Sequence, residues 1–258
     1  MFVSLKGKDI KAFHKFFQTI ETVSDIRIEV DAKEMRGEVF HPSKTALAVG
    51  ALNLEGLVVN EPDLTFGMDL TKFDPIKFAT DDDEVVFKAG SSQAGLVVGK
   101  HIRRNFRLLA EAPEKMRNAY DRFDTAFKLP KDMVKPLIES LDMKEKHSLI
   151  KIRLADDALF FLTEDRIGND SGQFVIPKAD IVGLEGADKV EGWYDFEQFS
   201  AIREVPVDEN LTLKLKTHSP LIISTVAGRF SGRLLLAPSI PTEYKGDGEQ
   251  AEAEPVVP

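Results

Sequence analysis

Cysteine is absent from the 258 residues, so the chain has no disulfide framework, no thiolate zinc site and no cysteine nucleophile. Long apolar runs are missing as well. None approaches the roughly 20 residues that a membrane-spanning helix needs, and we therefore expect no membrane partner. The composition is that of a soluble protein of a reducing compartment, with enough residues for one large core or two ordinary ones.

Basic residues are outnumbered, with 34 Lys and Arg against 43 Asp and Glu, which gives a formal net charge of −9. The charge is unevenly placed. The segment Glu243–Pro258 holds five acids and one base and supplies −4 of the total. With two prolines and no aromatic residue beyond Tyr244, it is typical of a disordered acidic tail. The remaining body is only mildly acidic, which leaves room for a basic face that contacts nucleic acid.

Two pairs of segments repeat along the chain. Leu5–Phe13 resembles Leu129–Leu137, and Asp69–Ile76 resembles Asp195–Ile202, each pair separated by nearly the same distance. Two matches at one spacing predict two tandem domains of one fold. The predicted organisation is a first domain over residues 1–110, an interdomain linker over 111–124, a second domain over 125–242 and the acidic tail over 243–258.

Each predicted domain combines two short helices with several strands. Helical spacing of apolar residues occurs near residues 8–22, 71–79, 131–143 and 195–204. Alternation of apolar and polar residues indicates antiparallel sheets with one face turned away from the core, which makes this an α+β protein. The predicted strands are 26–30, 45–53, 84–89, 101–109, 149–154, 158–163, 172–176, 211–216, 221–226 and 229–236.

Three motifs resemble those of a known family. They are Phe40-His-Pro-Ser-Lys-Thr-Ala-Leu47, Gly67-Met-Asp-Leu-Thr71 and Leu234-Leu-Leu-Ala-Pro-Ser-Ile240. Together with the repeat, they make Met1 to about Thr242 resemble a sliding DNA clamp of the proliferating cell nuclear antigen type, found in archaea and eukaryotes. The resemblance implies the DNA clamp fold and a pseudo-sixfold ring of three chains, a homotrimer that encircles duplex DNA without reading its sequence.

The resemblance also implies the role and the partners. Such a clamp is a processivity factor and scaffold with no enzymatic activity and no cofactor. It tethers DNA polymerase, a clamp loader and other replication and repair enzymes that carry a short interaction peptide. The expected location is the cytoplasm, associated with the nucleoid, in a prokaryote, and the nucleus in a eukaryote.

Eight basic residues lie on the four predicted helices, which the resemblance places around the hole of the ring. A sliding contact suits them, because phosphate charge attracts cations without regard to base sequence. Glu139, Glu197 and Glu204 lie on the same helices, so the expected lining is weakly basic. The DNA-facing candidates are Lys8, Lys11, Lys15, Lys72, Lys77, Lys131, Lys135 and Arg203.

Ring closure requires an edge strand of one chain to pair with an edge strand of the next, head to tail. The resemblance assigns these roles to residues 101–109 and 172–177. Both charge signs occur on one chain, which favours a homotrimer, although charged edges also serve simply to block aggregation. The interface candidates are Arg103, Arg104, Arg107, Glu164, Asp165, Asp170 and Phe174.

Client proteins of the family carry a Gln-x-x-aliphatic-x-x-aromatic-aromatic peptide, whose one-turn helix enters a groove under the interdomain linker. Apolar pockets with a few backbone partners suit such an aromatic anchor. The groove candidates are Phe40, Lys44, Leu47, Met116, Tyr120, Pro220, Ala237, Pro238, Ser239 and Ile240.

Catalytic and metal-binding patterns are weak. The five histidines are scattered singly, without metal-ligand spacing, and Gly95–His101 lacks the Ser or Thr that follows the lysine of a phosphate loop. We therefore expect no catalytic residue and no metal site. Two alternatives remain beside the homotrimeric clamp: one subunit of a heterotrimeric or checkpoint-type clamp acting as a scaffold, and a β-rich hydrolase, which needs a clustered catalytic set that the sequence does not offer.

Overall fold

A computed structural model describes residues 1–20, 25–61, 63–115, 122–142, 149–155, 157–164 and 171–239. Within these ranges, no helix is both long enough and apolar enough to cross a membrane.

Short helices occur at the four places where the sequence predicts them. They are α1 (Gly7–Gln18), a 3-10 helix (Leu70–Phe78), α2 (Lys131–Leu141) and α3 (Phe196–Ser200), which continues into a 3-10 turn (Ala201–Glu204); a further 3-10 turn spans Lys178–Asp180. The second of these is a 3-10 helix rather than an α-helix. It contains Pro75, whose missing N–H and ring disfavour a regular α-helical interior.

All ten predicted strands are present, and the described ranges contain eight more that the sequence analysis did not identify. The first half of the chain contains β1 (Phe2–Lys6), β2 (Asp25–Val30), β3 (Glu34–Phe40), β4 (Ala46–Asn53), β5 (Val59–Asn60), β6 (Leu64–Asp69), β7 (Glu84–Ala89), β8 (Gln93–Val98) and β9 (Ile102–Arg107). The second half contains β10 (Thr125–Pro130), β11 (Leu149–Leu154), β12 (Ala158–Glu164), β13 (Ser171–Pro177), β14 (Val182–Gly186), β15 (Val190–Asp195), β16 (Asn210–Leu215), β17 (Leu221–Ala227) and β18 (Phe230–Leu236).

The strands form three antiparallel sheets that repeat one another. Their orders are β5-β1-β7-β8-β9, β14-β10-β16-β17-β18-β4-β3-β2-β6 and β13-β12-β11-β15. The first sheet therefore matches the first five strands of the nine-stranded sheet, and the third matches its last four. Asp69 and Asp195 occupy equivalent places, each capping the helix after its strand through a backbone N–H. The predicted internal repeat is confirmed in the fold.

The nine-stranded sheet joins the two halves where β18 pairs with β4. Gly37, Gly50 and Gly232 lie side by side in neighbouring strands at this junction. A Cβ atom at Gly37 or Gly50 would come within about 3 Å of the Phe17 ring, and one at Gly232 within 2.8 Å of Phe16. The three glycines thus make room for the aromatic face of α1, which packs the halves against each other.

His14 is buried on α1 beside the 3-10 helix, and its Nε2 atom has no hydrogen-bond partner among the described residues. Burial lowers the pKa of His14 below its ordinary value of 6.5, and Asp74, whose carboxylate lies 3.6 Å from Nε2, opposes the shift, while Lys77 adds to it. Folding therefore favours the neutral imidazole.

We expect the free energy of unfolding to be highest above pH 6.5 and to fall as the pH drops from 6.5 toward the lowered pKa of folded His14. Urea unfolding at several pH values between 7.5 and 5 measures this loss. His14→Leu, which has the apolar character of the equivalent Ile138 in α2, is expected to flatten the profile; an unchanged slope in this variant contradicts the assignment.

Candidate functional surfaces

Each sheet ends in edge strands with no outer partner in the described part of the chain, and two of these edges bear on assembly. The five-stranded sheet ends at β9 and the four-stranded sheet at β13. These are the strands that the sequence assigns to subunit contact, although β9 is shorter than the predicted span of 101–109. Their backbone N–H and C=O groups are available to another strand.

The internal repeat relates these two edges to the junction inside the chain. Through the pairing registers, β9 takes the place of β18, and β13 takes the place of β4. Within the chain, Leu235 of β18 lies opposite Leu47 of β4. The equivalent residues are Asn105 on β9 and Ser171 on β13. A β9 edge paired with a β13 edge therefore reproduces a junction that the chain already makes.

The side chains at the two edges are complementary in volume. The places of Gly37 and Gly50 are taken by Phe161 and Phe174, whose rings are 6.5 Å apart in a T-shaped contact. The place of Gly232 is taken by Ile102, which is half-buried on its own core. The strands β12, β13 and β9 therefore carry large side chains at the places where the internal junction has glycines. Correspondingly, α2 carries Ser140 and Leu141 where α1 carries Phe16 and Phe17.

The predicted interface residues are placed as follows. Arg103, Arg104 and Arg107 are all exposed on β9, and Phe174 is half-buried on β13. The backbone of Glu164 pairs with Ser171, while Asp165 and Asp170 lie outside the described residues. The predicted contacts between arginines and carboxylates therefore stay a prediction.

Phe78 is an exposed aromatic residue that the sequence analysis missed. It ends the 3-10 helix with 67% of its surface exposed, and the Lys77 ammonium lies 5.2 Å from its ring centre. Its equivalent, Glu204, forms an ion pair with Lys15 across the internal junction. Phe78 is therefore on the side of the first half that would meet α2 of another copy.

The DNA-facing candidates all lie on helices, as predicted. Lys8, Lys11 and Lys15 form a stripe along α1 opposite its buried face. Most of the eight residues lie beside a carboxylate. The ion pairs are Lys11 with Asp81 at 2.6 Å, Lys15 with Glu204 at 3.1 Å, Lys72 with Asp69 at 3.3 Å, Lys135 with Glu139 at 3.6 Å and Arg203 with Glu204 at 3.5 Å. Lys8 and Lys131 are exposed and form no ion pair within the described ranges. The weakly basic lining therefore stays a prediction.

An apolar strip crosses the other face of the nine-stranded sheet, away from the helices. Its residues are neighbours in the strand registers: Phe40, Leu47, Leu235, Ile222 and, beyond Lys214, Ala126. Leu47, Ile222 and Ala126 are at most 7% exposed, yet they are not part of the main core. This outer strip is where the predicted groove residues Phe40 and Leu47 come together.

The last described residues lie along one side of the outer strip, where β18 ends and β4 begins. Ala237 donates its backbone N–H to the Thr45 carbonyl at 2.8 Å, and Ser239 donates to the Trp193 carbonyl at 2.8 Å. Pro220 lies beside Ala237, while Pro238 between these two contacts is exposed. The structure therefore brings Pro220, Ala237, Pro238 and Ser239 to one side of the strip, next to Leu47 and Leu235.

The loop between β3 and β4 flanks this side and contains Lys44. Lys44 adopts a left-handed backbone conformation with φ of 61°, and its N–H bonds to the His41 carbonyl at 2.8 Å. The Ser43 hydroxyl lies 2.6 Å from His41 Nδ1 and 2.7 Å from the Thr45 hydroxyl. Gln198 of α3 donates to that Thr45 hydroxyl, so the second half holds the loop in place.

The beginning of the predicted linker is fastened over β6 and β2. The Arg27 guanidinium donates to the Pro113 carbonyl at 2.8 Å, and Lys115 lies 2.8 Å from the Glu29 carboxylate. The hydrogen bond from Lys115 holds the pKa of Glu29 below its ordinary value. A Cβ atom at Gly67 would lie 2.8 Å from Pro113, so glycine is needed for this close approach.

Three predicted groove residues, Met116, Tyr120 and Ile240, lie outside the described residues. Conversely, the structure adds Ile222, Leu235 and Ala126, which the sequence analysis did not assign to the groove. It also adds Phe123, 38% exposed, whose ring lies 4.4 Å from the Lys214 ammonium at the far end of the strip. Ile222 and Leu235 sit in strands with apolar residues on both faces, and their sequence carries no signal of which face is outward.

Among the described residues, no three His, Asp or Glu side chains are grouped in a way that could hold a metal ion. The acidic run from Asp81 to Glu84 instead engages nearby groups: Asp81 pairs with Lys11, and Asp83 accepts the Thr80 N–H at 2.7 Å.

Solved structures share this architecture. PCNA of A. fulgidus, solved with the C-terminal region of FEN-1 bound, superposes with a TM-score of 0.79 at 17% identity, covering 93% of this chain and 99% of that chain. A chain of the PCNA2–PCNA3 complex from Sulfolobus tokodaii gives 0.76 at 16% identity, covering 92% and 99%. No protein-family model matches the sequence, and no curated protein does. The chain has the fold of PCNA-type clamps, which confirms the α+β clamp fold expected from the resemblance.

Proposed function

We propose that the chain is a subunit of a sliding clamp, a ring that encircles duplex DNA and tethers replication and repair enzymes. The observation that carries the proposal is the equivalence of the free β9 and β13 edges to the paired β18 and β4 strands. If β9 of one copy pairs with β13 of the next, the internal junction is repeated between copies and the chains join head to tail. A ring of three copies then has six junctions, three within the chains and three between them. Since both edges are on one chain, a homotrimer is the simplest assembly.

In such a ring, the helices line the hole and the sheets form the outside. The lysines on α1 and α2 then face the phosphates of the duplex at a distance suited to sliding, and no base edge is read. The role is that of a scaffold, with no chemical step assigned to any side chain.

The carboxylates beside the lysines should weaken this contact with DNA. We expect Asp81→Asn, Glu139→Gln and Glu204→Gln together to raise the affinity for a linear duplex about tenfold at low salt and to steepen its salt dependence, because more cations become available to displace counterions. Fluorescence anisotropy over a salt series measures both quantities.

The matched control changes three acids away from the helices, Glu55→Gln, Glu111→Gln and Glu185→Gln, and alters the net charge by the same amount. Equal effects of the two triple variants would mean that total charge, rather than the helix face, determines DNA binding.

We further propose that the outer strip binds the interaction peptides of client enzymes, including DNA polymerase and the clamp loader. An aromatic anchor needs a concave apolar surface beside available backbone groups, and the strip with the residues along its side provides this. The proposed junction between copies lacks such a strip, because Asn105 of β9 and Ser171 of β13 occupy the places that Leu235 and Leu47 occupy in the internal junction. A trimer therefore has three client sites rather than six.

The absolute mass of the purified protein by light scattering tests the assembly, across concentration and salt. A mass near three times 28.8 kDa supports the self-closing ring. A persistent monomer contradicts it and favours the alternative of a heterotrimeric clamp, as in a complex of different PCNA chains.

A further inference from the structure

The outer strip is bordered by basic residues, although the chain as a whole is acidic. Lys128 and Lys214 project from β10 and β16 on the strip face, Lys216 follows β16 beside Pro220, and Lys44 stands in the loop at the other side. None of these four lysines forms an ion pair within the described ranges. Carboxylates share this face as well: Glu185 is on β14, Glu38 is 6% exposed on β3, and Glu29 and Glu34 lie farther from the strip on β2 and β3, where Glu29 is paired with Lys115. We call Lys44, Lys128, Lys214 and Lys216 the lysine rim.

The acidic end of the chain begins next to this rim. Nineteen residues follow Ser239, whose N–H is bonded to Trp193 at the side of the outer strip. The final sixteen contain five acids and one base in a chain with a net charge of −9. The charges of this segment and of the lysine rim are opposite.

The length of the segment is sufficient to reach the whole rim. Ser239 lies near β18, and the far end of the rim on β10 is three strands away, about 15 Å at the usual strand spacing. Nineteen residues can span up to about 60 Å when extended. Because the segment is attached to the site, its local concentration is of millimolar order, and even weak binding competes with a free peptide.

We propose that residues 240–258 dock on the lysine rim and compete with client peptides for the outer strip. The inference rests on the proposed function of the strip as the client site. It makes the acidic segment an internal competitor that lowers the apparent affinity for clients and favours those that bind tightly. Since the attraction is between exposed charges, the competition weakens as salt rises.

The test compares the full chain with a chain that ends at Thr242, using a fluorescent peptide of the Gln-x-x-aliphatic-x-x-aromatic-aromatic type. We expect the shortened chain to bind the peptide about three- to tenfold more tightly at 50 mM salt and equally at about 0.5 M salt, where the Debye length is only a few ångströms. A full-length variant with Glu243→Gln, Asp247→Asn, Glu249→Gln, Glu252→Gln and Glu254→Gln keeps the length and should behave as the shortened chain.

A second comparison tests whether the difference in peptide affinity between the full and shortened chains depends on the lysine rim. Lys128→Gln together with Lys214→Gln should reduce the ratio between the full and shortened chains toward one, whatever these changes do to the peptide affinity itself. The mass of each variant is measured in parallel to exclude an effect on assembly.

The outcomes distinguish a failure of this inference from a failure of the proposal that the outer strip binds client peptides. If the full and shortened chains bind the peptide with equal affinity at low salt, the inference is wrong, but the proposed client site is unaffected. An effect of truncation that the five amide substitutions do not reproduce also overturns it. Absence of peptide binding to every variant overturns the client site itself. Tighter binding of peptides with acidic flanks, by the same factor in both chains, would show that the rim serves the client and not the tail.

Discussion

A double variant with cysteine at Asn105 and Ser171 is expected to form a covalent trimer under mild oxidation. The internal repeat predicts that these residues lie opposite each other across the proposed β9–β13 contact, as Leu235 and Leu47 do inside the chain. Directly opposed strand residues have Cβ atoms about 4.5–5.5 Å apart, close enough for a disulfide after small adjustments. Because the natural chain has no cysteine, each disulfide formed comes from the engineered pair. Non-reducing electrophoresis reads the result directly.

The matched control pairs Asn105→Cys with Val175→Cys. Val175 is exposed on the same face of β13 as Ser171 but is four residues away, about 13 Å along the strand. This variant should remain uncrosslinked, as should each single variant apart from random dimers. Crosslinking of the control pair, with none at Asn105 and Ser171, would mean that the register, or the interface itself, is different.

Replacement of Leu235 by Asp is expected to lower the affinity for a client peptide at least about 100-fold. The side chain lies in the middle of the outer strip, half-buried, between Ile222 and Leu47. A carboxylate there must lose its hydration when an aromatic anchor covers it, and its cross-strand neighbours Ile222 and Leu47 are apolar. Titration of a fluorescent peptide measures the loss.

Val226→Asp is the control for this prediction. Val226 points from the same face of the same sheet but is 57% exposed and lies away from the strip. It should bind the peptide as the natural chain does, and both variants should keep the mass of the unmodified assembly. A Leu235→Asp variant that keeps its mass and its peptide affinity would exclude the strip as the client site.

The sequence predicted the repeat and the helices because their signals are local. Asp69 and Asp195 each start a short helix after a strand, and apolar spacing marks the buried faces of α1 and α2. Strands such as β3 and β8 were missed because Gly37 and Gly95 interrupt the apolar pattern by which strands are recognised.

The candidate sites were predicted less completely, for reasons of tertiary packing. Leu234, Leu235 and Leu236 are alike in sequence, yet only Leu235 faces the outer strip, and this is decided by the register with β17 and β4. The lysines of the helix face could be recognised by type. Glu139 and Glu204 could also be recognised as carboxylates of the helices, but the pairing of Lys11 with Asp81 and of Lys15 with Glu204 could not, since these residues meet only through the folding of the chain.

The glycine row of Gly37, Gly50 and Gly232 has a consequence for how a ring of this kind opens. At the internal junction, the rings of Phe16 and Phe17 fill the space above the glycines, and the two strands belong to one covalent chain. Separating them would expose two fully buried aromatic side chains and still leave the halves connected. The proposed contact between β9 and β13 would instead cover Ile102 and Phe174, which are already half-buried in each copy, and exposed residues around them. If three copies form the proposed ring, we therefore expect it to open at the three contacts between copies and not at the three internal junctions, so that DNA would enter between two copies while each chain stays folded.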